Sequence, residues 1–517
     1  MSFCTVLSAS VQGLSVEMIR VEADVSNGLP MFHMVGYLSS EVKEASERVR
    51  TAIRNSGMKL PAKKIIVNLA PATVRKRGAS FDLPIALAVL AAMNYVPEKA
   101  LKGVSVIGEV SLEGKIRGVS GVLPIVMEAK NQGCTACILP EENEIEGRLV
   151  SGIKILPADN LEKLCAYLNG DEKEIHRKKQ GRSSAQRNIF ENKKEDFSDI
   201  CGQNAVKRAA EIAVAGGHNL LMAGPPGSGK SMIARRIATI LPELSLEESL
   251  EITRIYSVLG MIDKEQPLIT RRPFRSVHHT ITKTALVGGG MTPRPGEISM
   301  AHGGVLFLDE LAEFPRNVLE VLRQPLEEHQ IHIARNYGNF TFPAEFMLVA
   351  AMNPCPCGNY PDMQKCSCTP SQIQKYLGKI SQPFLDRMDL CIETPKVEYR
   401  ELDIERIGKK EEESSEAIRS RVVEARKLQK KRYEGTQIRT NSMLGPGEIR
   451  TYIPLGSAER KLMEKAFERM GLTARTYHKI LRVARTIADL DYSEKVTEKH
   501  LKEAIAYRSL DKKYWGR

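Results

Sequence analysis

The chain has 517 residues, of which 42% are hydrophobic and 27% are charged. This composition predicts about three globular domains and argues against a disordered chain or a small disulfide-stapled scaffold. The formal net charge of +12 favours a polyanionic partner, because Lys and Arg release the counterions condensed on phosphates. No signal-peptide core or long uncharged apolar run is present, so we expect a cytoplasmic protein with no membrane partner.

The predicted elements divide the chain into four segments. Residues 1–169 alternate short strands and helices and predict an α/β domain. Residues 170–196 are highly polar and predict a charged linker. Residues 197–395 alternate apolar strands with helices, as a parallel α/β core requires. Residues 396–517 carry long amphipathic patterns and predict a small helical domain.

A phosphate-binding loop follows the first strand of the parallel core. The apolar run 220–223 predicts a buried strand, and a helical pattern begins at Met232. In such a loop, glycines let backbone N–H groups wrap the phosphates, a lysine reaches the β and γ oxygens, and a hydroxyl binds Mg²⁺. The sequence therefore predicts that ATP and Mg²⁺ bind at eight consecutive residues, Gly224, Pro225, Pro226, Gly227, Ser228, Gly229, Lys230 and Ser231.

Two more strands end in polar side chains. The buried-strand pattern 305–308 is followed by Asp309 and Glu310, and carboxylates at the carboxyl end of a strand face the ligand crevice of such sheets. We expect Asp309 to hold Mg²⁺ and Glu310 to polarise the attacking water; the alternative is that both carboxylates cap a helix. Asn353 follows the apolar strand 346–351 and is predicted to sense the γ-phosphate and the water, although an Asn-Pro pair alone would indicate a turn.

Two arginines complete a nucleotide-hydrolysis set. Arg387 lies among acidic residues just before the helical segment, and Arg475 precedes a helix predicted from Tyr477. With the motifs above and the glycine-rich run 288–298, they resemble the AAA+ ATPases, and specifically the magnesium-chelatase-like YifB/ComM family. The resemblance covers essentially the whole chain, and the stretch 273–358 is its most specific part.

The resemblance implies a P-loop parallel-sheet core with a C-terminal helical lid. It also implies that Arg387 is an arginine finger for the γ-phosphate of a neighbouring subunit, that Arg475 is a sensor-2 arginine, and that Gly202 and Gln203 line the adenine pocket. A finger supplied to a neighbour implies a ring, most simply a homohexamer. Taken alone, each arginine would be interpreted as a surface ion-pair residue.

A hairpin between Glu310 and Asn353 is the candidate DNA contact. The stretch Ile331–Phe342 contains two alternating runs joined by a predicted turn at Tyr337-Gly338-Asn339. Helicases of related families carry such a hairpin into the ring pore, so Arg335 would touch a phosphate backbone. The alternative is a solvated hairpin without a ligand. Further predicted DNA contacts, in the preceding glycine-rich insert, are Lys283 and Arg294.

Four of the ten cysteines are clustered in sequence. Cys355, Cys357, Cys366 and Cys368 form two C-x-C pairs that could wrap one tetrahedral Zn²⁺. This spacing departs from the usual C-x₂-C pairs, so zinc and free thiols both remain open. The adjacent pair His278-His279 is interpreted as structural.

The N-terminal segment resembles the proteolytic domain of the Lon proteases. The resemblance rests on the run 108–117, and Ser80 falls where that family keeps its nucleophile. A nucleophilic serine needs a base within hydrogen-bond reach, but the family's lysine position falls on Leu123. We therefore expect a Lon-like fold that has no catalytic dyad and serves assembly or DNA contact.

These observations predict an ATP-driven hexameric motor that acts on DNA. The resemblance makes it a branch-migration helicase in homologous recombination or natural transformation, with other recombination proteins as partners. Residues 401–517 hold 27 Lys and Arg against 19 Asp and Glu, which favours DNA over the alternative, a chelatase-type motor that remodels a protein partner.

Overall fold

The computed structural model describes residues 2–171, 195–335, 338–396 and 412–515. Most of the predicted linker 170–196 lies outside the described residues, as does the segment 397–411. The described residues form an N-terminal α/β unit, a second α/β unit built on a parallel sheet, and a C-terminal group of helices. The fold class expected from the sequence is therefore confirmed, whereas the domain boundaries stay a prediction.

The N-terminal unit is built on a seven-stranded mixed sheet. Its second strand shows the period-2 pattern directly, since Ile19, Val21 and Ala23 are buried while Arg20 is exposed. The sheet has the order β3-β4-β2-β1-β5-β8-β9, and β6 pairs with β7. The strands are β1 Ser2–Gln12, β2 Ser15–Ser26, β3 Met31–Val35, β4 Lys64–Ala70, β5 Val104–Val106, β6 Glu109–Val110, β7 Ile116–Arg117, β8 Ala136–Pro140 and β9 Lys154–Ala158.

A fully buried helix, Asp82–Ala92, fills the core of this unit. Its first residue, Asp82, is buried and binds Arg48 at 2.8 Å, so the carboxylate has a charged partner where water is excluded. The helices of the unit are α1 Ser40–Lys43, α2 Ala45–Asn55, α3 Asp82–Ala92, α4 Val122–Asn131, α5 Glu144–Gly147 and α6 Leu161–Leu168.

The second unit contains a five-stranded sheet of order β11-β14-β17-β10-β18, in which all neighbours are parallel. Parallel pairing aligns the carboxyl ends of the strands at one edge, where ligands bind in such sheets. Two short hairpins, β12-β13 and β15-β16, lie outside it. The strands are β10 Leu220–Ala223, β11 Phe274–Val277, β12 Gly288–Gly289, β13 Arg294–Pro295, β14 Val305–Leu308, β15 Gln330–Arg335, β16 Gly338–Pro343, β17 Met347–Met352 and β18 Leu390–Glu393.

Helices flank this sheet on both sides. Strands β10, β14 and β17 are buried along their whole length, as expected for a parallel sheet covered on both faces. The helices are α7 Asn204–Gly216, α8 Lys230–Ile237, α9 Leu246–Leu259, α10 Lys283–Val287, α11 Glu297–Met300, α12 Arg316–Glu320, α13 Arg323–Glu328, α14 Pro370–Leu377 and α15 Gln382–Leu385.

The C-terminal helices pack on the second unit. Lys479 binds Asp389 of the core at 2.9 Å, which joins the longest lid helices to the end of the parallel sheet. The helix predicted from Tyr477 begins earlier, because Thr473 caps it through the backbone N–H of Thr476, and Arg475 lies in its first turn. The helices are α16 Ser415–Arg432, α17 Pro446–Tyr452, α18 Ser457–Met470, α19 Ala474–Leu490, α20 Glu498–Ala506 and α21 Ser509–Trp515.

The N-terminal unit also packs on the hairpin β15-β16. Leu14, in the turn between β1 and β2, joins the same apolar cluster as Phe340 and Phe342. Pairing in the hairpin extends to Arg335 opposite Gly338, so Gly338 and Asn339 of the predicted turn 337–339 belong to β16 and the turn prediction is wrong for them. Their backbone groups bond across the ladder, which outweighs the turn preference of Gly and Asn. Residues 336 and 337 lie outside the described residues.

Candidate functional site

The predicted phosphate loop leaves the carboxyl end of β10 and enters helix α8. Gly227 has a φ of 75°, and a Cβ placed there would meet no atom within 4 Å, so the loop has open space where phosphates would lie. The ammonium of Lys230 donates to the carbonyl oxygens of Gly224 and Pro225 at 2.7 and 2.8 Å. This arrangement fits a triphosphate, which would replace loop carbonyls as the partner of the lysine.

Lys230 is only 8% exposed. Burial lowers the pKa of its ammonium to about 8, and the nearby Asp309 carboxylate opposes that shift. A cation held in this way is incompletely compensated, because carbonyl dipoles replace the full charge of a counterion. Lys230 is therefore prepared to gain from an anionic ligand such as a phosphate.

Two oxygen ligands for Mg²⁺ lie side by side. The hydroxyl of Ser231 donates to Asp309 Oδ2 at 2.6 Å, so the first residue after the loop lysine meets the first residue after β14. A hydroxyl and a carboxylate match the hard-cation preference of Mg²⁺, which keeps the rest of its shell for water and phosphate oxygens. When bound, the metal would neutralise charge on the phosphates; Ser231 and Asp309 are the residues that would hold it.

Asn353 completes the edge of the sheet beside the loop. Its Oδ1 accepts from Lys230 Nζ at 3.2 Å, and Gly224 N donates to Met352 O at 3.1 Å. The end of β17 is thus tied to the start of the phosphate loop by both side-chain and backbone bonds. The residues predicted at 230, 231, 309 and 353 therefore lie together.

Glu310 lies at the same edge in a strained conformation. Its φ of 52° is in the left-handed region that residues with a side chain seldom adopt. Its carboxylate points to His279, whose Nδ1 is 3.1 Å from Glu310 Oε2 without the alignment of a hydrogen bond. The side chain of Glu310 is 56% exposed, which leaves it accessible to water.

Sequence reasoning missed the proximity of His279 to the site. His278 and His279 follow strand β11 directly, and β11 pairs with β14, which ends next to Glu310. Their position gives only a weak signal, because β11 contains Arg275 and Ser276 and lacks the continuous apolar pattern that identified Asp309. Potential ligand atoms of these two histidines and Glu310 lie within 4.8 Å of one another.

The residues predicted for the adenine pocket lie beside the phosphate loop. Gln203 Nε2 donates to Ser228 O at 2.9 Å, and Gly202 N donates to Glu412 Oε1 at 2.9 Å. Glu412 also binds Lys207. Gly202 and Gln203 therefore connect the loop to the segment just before the C-terminal helices. Movement of those helices would change the position of the residues that contact the loop.

Arg387, the predicted arginine finger, is held by residues outside the phosphate loop. Arg387 is 8% exposed, and it binds Glu327 and the carbonyls of Arg323 and Pro383. Its pKa is lowered by burial and by the neighbouring charges of Arg323 and Arg475. The two predicted arginines are thus neighbours, with Arg387 buried and Arg475 exposed.

The three predicted DNA contacts are exposed and come from one region. Arg335, at the end of β15, donates to Gly290 O at 3.5 Å, which joins the hairpin to the glycine-rich insert. Arg294 lies in β13, opposite Gly289, and Lys283 begins α10. Since α10 follows His279 by a few residues, these cations are joined by a short stretch of chain to the carboxylate site.

The four clustered cysteines meet in space. Cys355 is buried, the other three are partly exposed, and all four sulfur atoms lie within 4.8 Å of one another. Three Sγ–Sγ distances are 3.4, 3.6 and 3.8 Å. The chemistry of four thiolates suits a tetrahedral Zn²⁺.

The N-terminal unit has no base at the position implied by the Lon resemblance. Leu123 is fully buried, and its backbone N–H donates to Glu146 Oε1 at 2.9 Å. A leucine accepts no proton, so the geometry gives Ser80 no partner from that position.

A parallel sheet with a phosphate loop and an Asp-Glu pair at one edge defines a P-loop NTPase. Three family descriptions match: "Magnesium chelatase, subunit ChlI" over 196–402, "Subunit ChlI of Mg-chelatase" over 21–143, and "Magnesium chelatase, subunit ChlI C-terminal" over 412–508. The protein YifB of Escherichia coli K12 is 44% identical over 512 residues, 99% of this chain and 98% of its own length.

The competence protein ComM of Haemophilus influenzae is 42% identical over 517 residues, again 99% of this chain and 98% of its own length. The chain belongs to the YifB/ComM family of magnesium-chelatase-like AAA+ ATPases. A Lon protease of Trichlorobacter lovleyi is 26% identical over 160 residues, 29% of this chain. Among the described residues, no helix is long and apolar enough to cross a membrane.

Proposed function

We propose that this protein is an ATP-hydrolysing motor that acts on DNA as a homohexameric ring, a branch-migration helicase of homologous recombination and natural transformation. The proposal depends mainly on one observation: the exposed Lys283 and Arg294 lie on the glycine-rich insert that follows His279, and Arg335 of the hairpin bonds to that insert at Gly290. A cationic insert there can transmit the nucleotide state to a phosphate backbone.

The proposed hydrolysis uses five side chains. Lys230 and the N–H groups of the loop bind the phosphates, Glu310 orients and polarises the attacking water, and Asn353 holds the water and the γ-phosphate in line. Phosphoryl transfer gains most of its rate from such positioning and from charge stabilisation. Arg387 and Arg475 add positive charge that the developing transition state requires.

The contacts of Arg387 support the proposed ring. Arg387 pairs with Glu327, and the proposal is that in the ring it turns to the γ-phosphate bound by a second copy. An arginine finger supplied between subunits raises the rate by about 10³–10⁵-fold. Contact between neighbouring copies would therefore couple hydrolysis around a closed ring.

The cofactors of the proposal are ATP and Mg²⁺ at the phosphate loop, with Zn²⁺ at Cys355, Cys357, Cys366 and Cys368. The partners are further copies of the chain, DNA and other recombination proteins, in the cytoplasm. The name of the competence protein ComM supports a role in natural transformation, and the net charge of +12 supports a polyanionic partner.

A second candidate is a chelatase-type motor that remodels a protein partner. The three matched family descriptions, all of magnesium chelatase subunits, favour it. The chelatase-type alternative assigns no ligand to the exposed cations of the insert. For that reason we rank it second.

Branch migration of a synthetic four-way junction tests the proposal. With ATP and Mg²⁺, the wild-type protein should convert the junction to duplex products, whereas Glu310→Gln should bind the junction and yield none. A wild-type protein that hydrolyses ATP but leaves junctions and forks intact at every salt concentration would favour the chelatase-type alternative.

A further inference from the structure

The segment that carries the four cysteines begins at the ATP site. Asn353, which binds Lys230 at 3.2 Å, is separated from Cys355 by one residue. From there the chain turns, with Gly358 N donating to Cys355 O at 3.0 Å. Whatever fixes Cys355 therefore also limits the movement of Asn353.

The same segment folds back onto the phosphate loop. The backbone of Gly358 lies so close to Pro226 that a Cβ added at Gly358 would be 2.3 Å from Pro226 Cδ. Gly358 also has a φ of 81°, which favours glycine. The turn at Gly358 therefore packs directly against Pro226, the second proline of the phosphate loop.

The sulfur positions match a metal site better than a disulfide pair. A tetrahedral Zn²⁺ with Zn–S bonds of about 2.3 Å places its sulfurs about 3.8 Å apart. The observed separations among Cys355, Cys357 and Cys366 are 3.4, 3.8 and 3.6 Å, and none of the four clustered cysteines is in a disulfide. A disulfide would require about 2.05 Å.

The surroundings of the sulfurs resemble those of a metal site in two respects. The backbone N–H of Tyr360 points to Cys355 Sγ at 3.4 Å, the kind of outer bond that stabilises a ligating thiolate. The chain between the two pairs is polar and exposed, including Asn359, Asp362 and Lys365. A segment with so little apolar area to bury needs a cross-link to hold one conformation.

We propose that Cys355, Cys357, Cys366 and Cys368 bind one Zn²⁺. This metal fixes the segment 354–358, which follows Asn353 directly and packs on Pro226. The inference deepens the proposed ATP site and rests on it. Loss of the metal releases both contacts to the nucleotide site, so the zinc is a structural requirement for nucleotide binding rather than a participant in hydrolysis.

Elemental analysis of the purified full-length protein is the first test. The proposal expects about one zinc per chain. Iron in place of zinc, or a chain with four accessible thiols and no metal, overturns it. The double variant Cys366→Ser/Cys368→Ser should lose the zinc, whereas Cys134→Ser, a buried cysteine of the N-terminal unit, should keep it.

Nucleotide affinity is the second readout, measured with a fluorescent ADP. The double variant should bind ADP at least tenfold more weakly than wild type, and Cys134→Ser should match wild type. Because a variant could misfold, the wild-type protein is also titrated with an organomercurial: zinc release, followed with a metal indicator, should parallel the loss of ADP affinity while far-ultraviolet circular dichroism stays constant.

The outcomes separate the two proposals. If zinc release leaves the ADP affinity unchanged, the claim that zinc stabilises the nucleotide site is overturned. The proposed hydrolysis mechanism is not affected by that outcome. A wild-type protein that holds zinc but binds no nucleotide overturns the proposed ATPase and, with it, this coupling.

Discussion

His279 Nδ1 lies 3.1 Å from Glu310 Oε2, at the ends of two neighbouring parallel strands. Glu310 is in a left-handed conformation, a strain of about 1–3 kcal/mol that persists only when the surroundings hold it. In this structure the Glu310 carboxylate lies within ion-pair distance of a histidine, without the alignment of a hydrogen bond. We therefore expect His279 to act as a positioning residue for the group proposed to activate water.

Replacing His279 by alanine should lower kcat for ATP hydrolysis by about ten- to a hundredfold, because a misplaced general base loses its alignment with the water. The affinity for ATP should stay within twofold, since His279 does not contact the loop. The matched control is His278→Ala, whose ring stacks at 4.0 Å from His279 but bonds to Thr280. Equal kcat for His279→Ala and wild type would contradict this role.

Arg387→Ala and Lys230→Ala should each abolish hydrolysis when tested alone. A mixture of the two variants should regain activity, because some interfaces in a mixed ring combine an intact phosphate loop with an intact Arg387 of the neighbour. Steady-state ATPase of mixtures in varied ratios measures this. If no mixture exceeds the activity of its two components, Arg387 acts only within its own chain.

The sequence was sufficient to place the main features of the ATP site. A strand, a glycine-rich loop and a helix in series have one common arrangement, and parallel strands bring their carboxyl ends to one edge. The contacts of Lys230 with Asn353 and of Ser231 with Asp309 follow from that geometry. These groups are close because the parallel register brings the carboxyl ends of β10, β14 and β17 together, with Ala223 opposite Met352 and Leu308 opposite Ala350.

Other features depend on contacts between segments far apart in the chain. No local pattern shows that His279 meets Glu310, or that Gly358 packs on Pro226. The helix start at Ala474 was missed because the capping hydroxyl of Thr473 outweighs the weak apolar pattern of the first turn. Likewise, the hairpin ladder extends through residues whose composition indicates a turn.

The ion pair of Asp389 and Lys479 should hold the C-terminal helices on the core. Burial alone would raise the pKa of Asp389, but Lys479, the protonated form of His218 and hydrogen bonds from Lys479 and Asn219 outweigh it and lower the pKa to about 2. Burial lowers the pKa of His218 itself to about 4, so this histidine is charged only at the acidic end of the range. Because the folded-state pKa lies below the ordinary value, the pair stabilises the protein above about pH 4. That stability is lost as the pH falls from about 4 to about 2.

Asp389→Asn should therefore destabilise the protein by about 3–5 kcal/mol at pH 7, since it leaves Lys479 buried without its counter-charge. The difference in unfolding free energy between the variant and wild type should shrink as the pH falls from about 4 to about 2. Unfolding curves recorded with a spectroscopic probe of the C-terminal helices measure this difference. Adding Lys479→Met should restore part of the stability. Asp386→Asn, on a partly exposed neighbour, serves as the control, and a pH-independent difference would contradict the account.

Arg335→Ala should weaken DNA binding to a similar extent for all sequences. It should also reduce the slope of log affinity against log salt by about one, because one phosphate contact is lost. Fluorescence anisotropy with a labelled fork at several salt concentrations measures both. The exposed Lys427, on helix α16 away from the insert, provides the control as Lys427→Ala. An unchanged slope for Arg335→Ala would show that the hairpin does not touch the backbone.

The most direct test of the central claim is ATP hydrolysis by the wild-type protein with and without single-stranded and forked DNA, at rising salt, with Glu310→Gln as the inactive control. The account predicts strong stimulation by DNA that fades with salt, as counterion release requires, and no hydrolysis by the variant. Hydrolysis that ignores DNA at every salt concentration, or undiminished activity of Glu310→Gln, would contradict it.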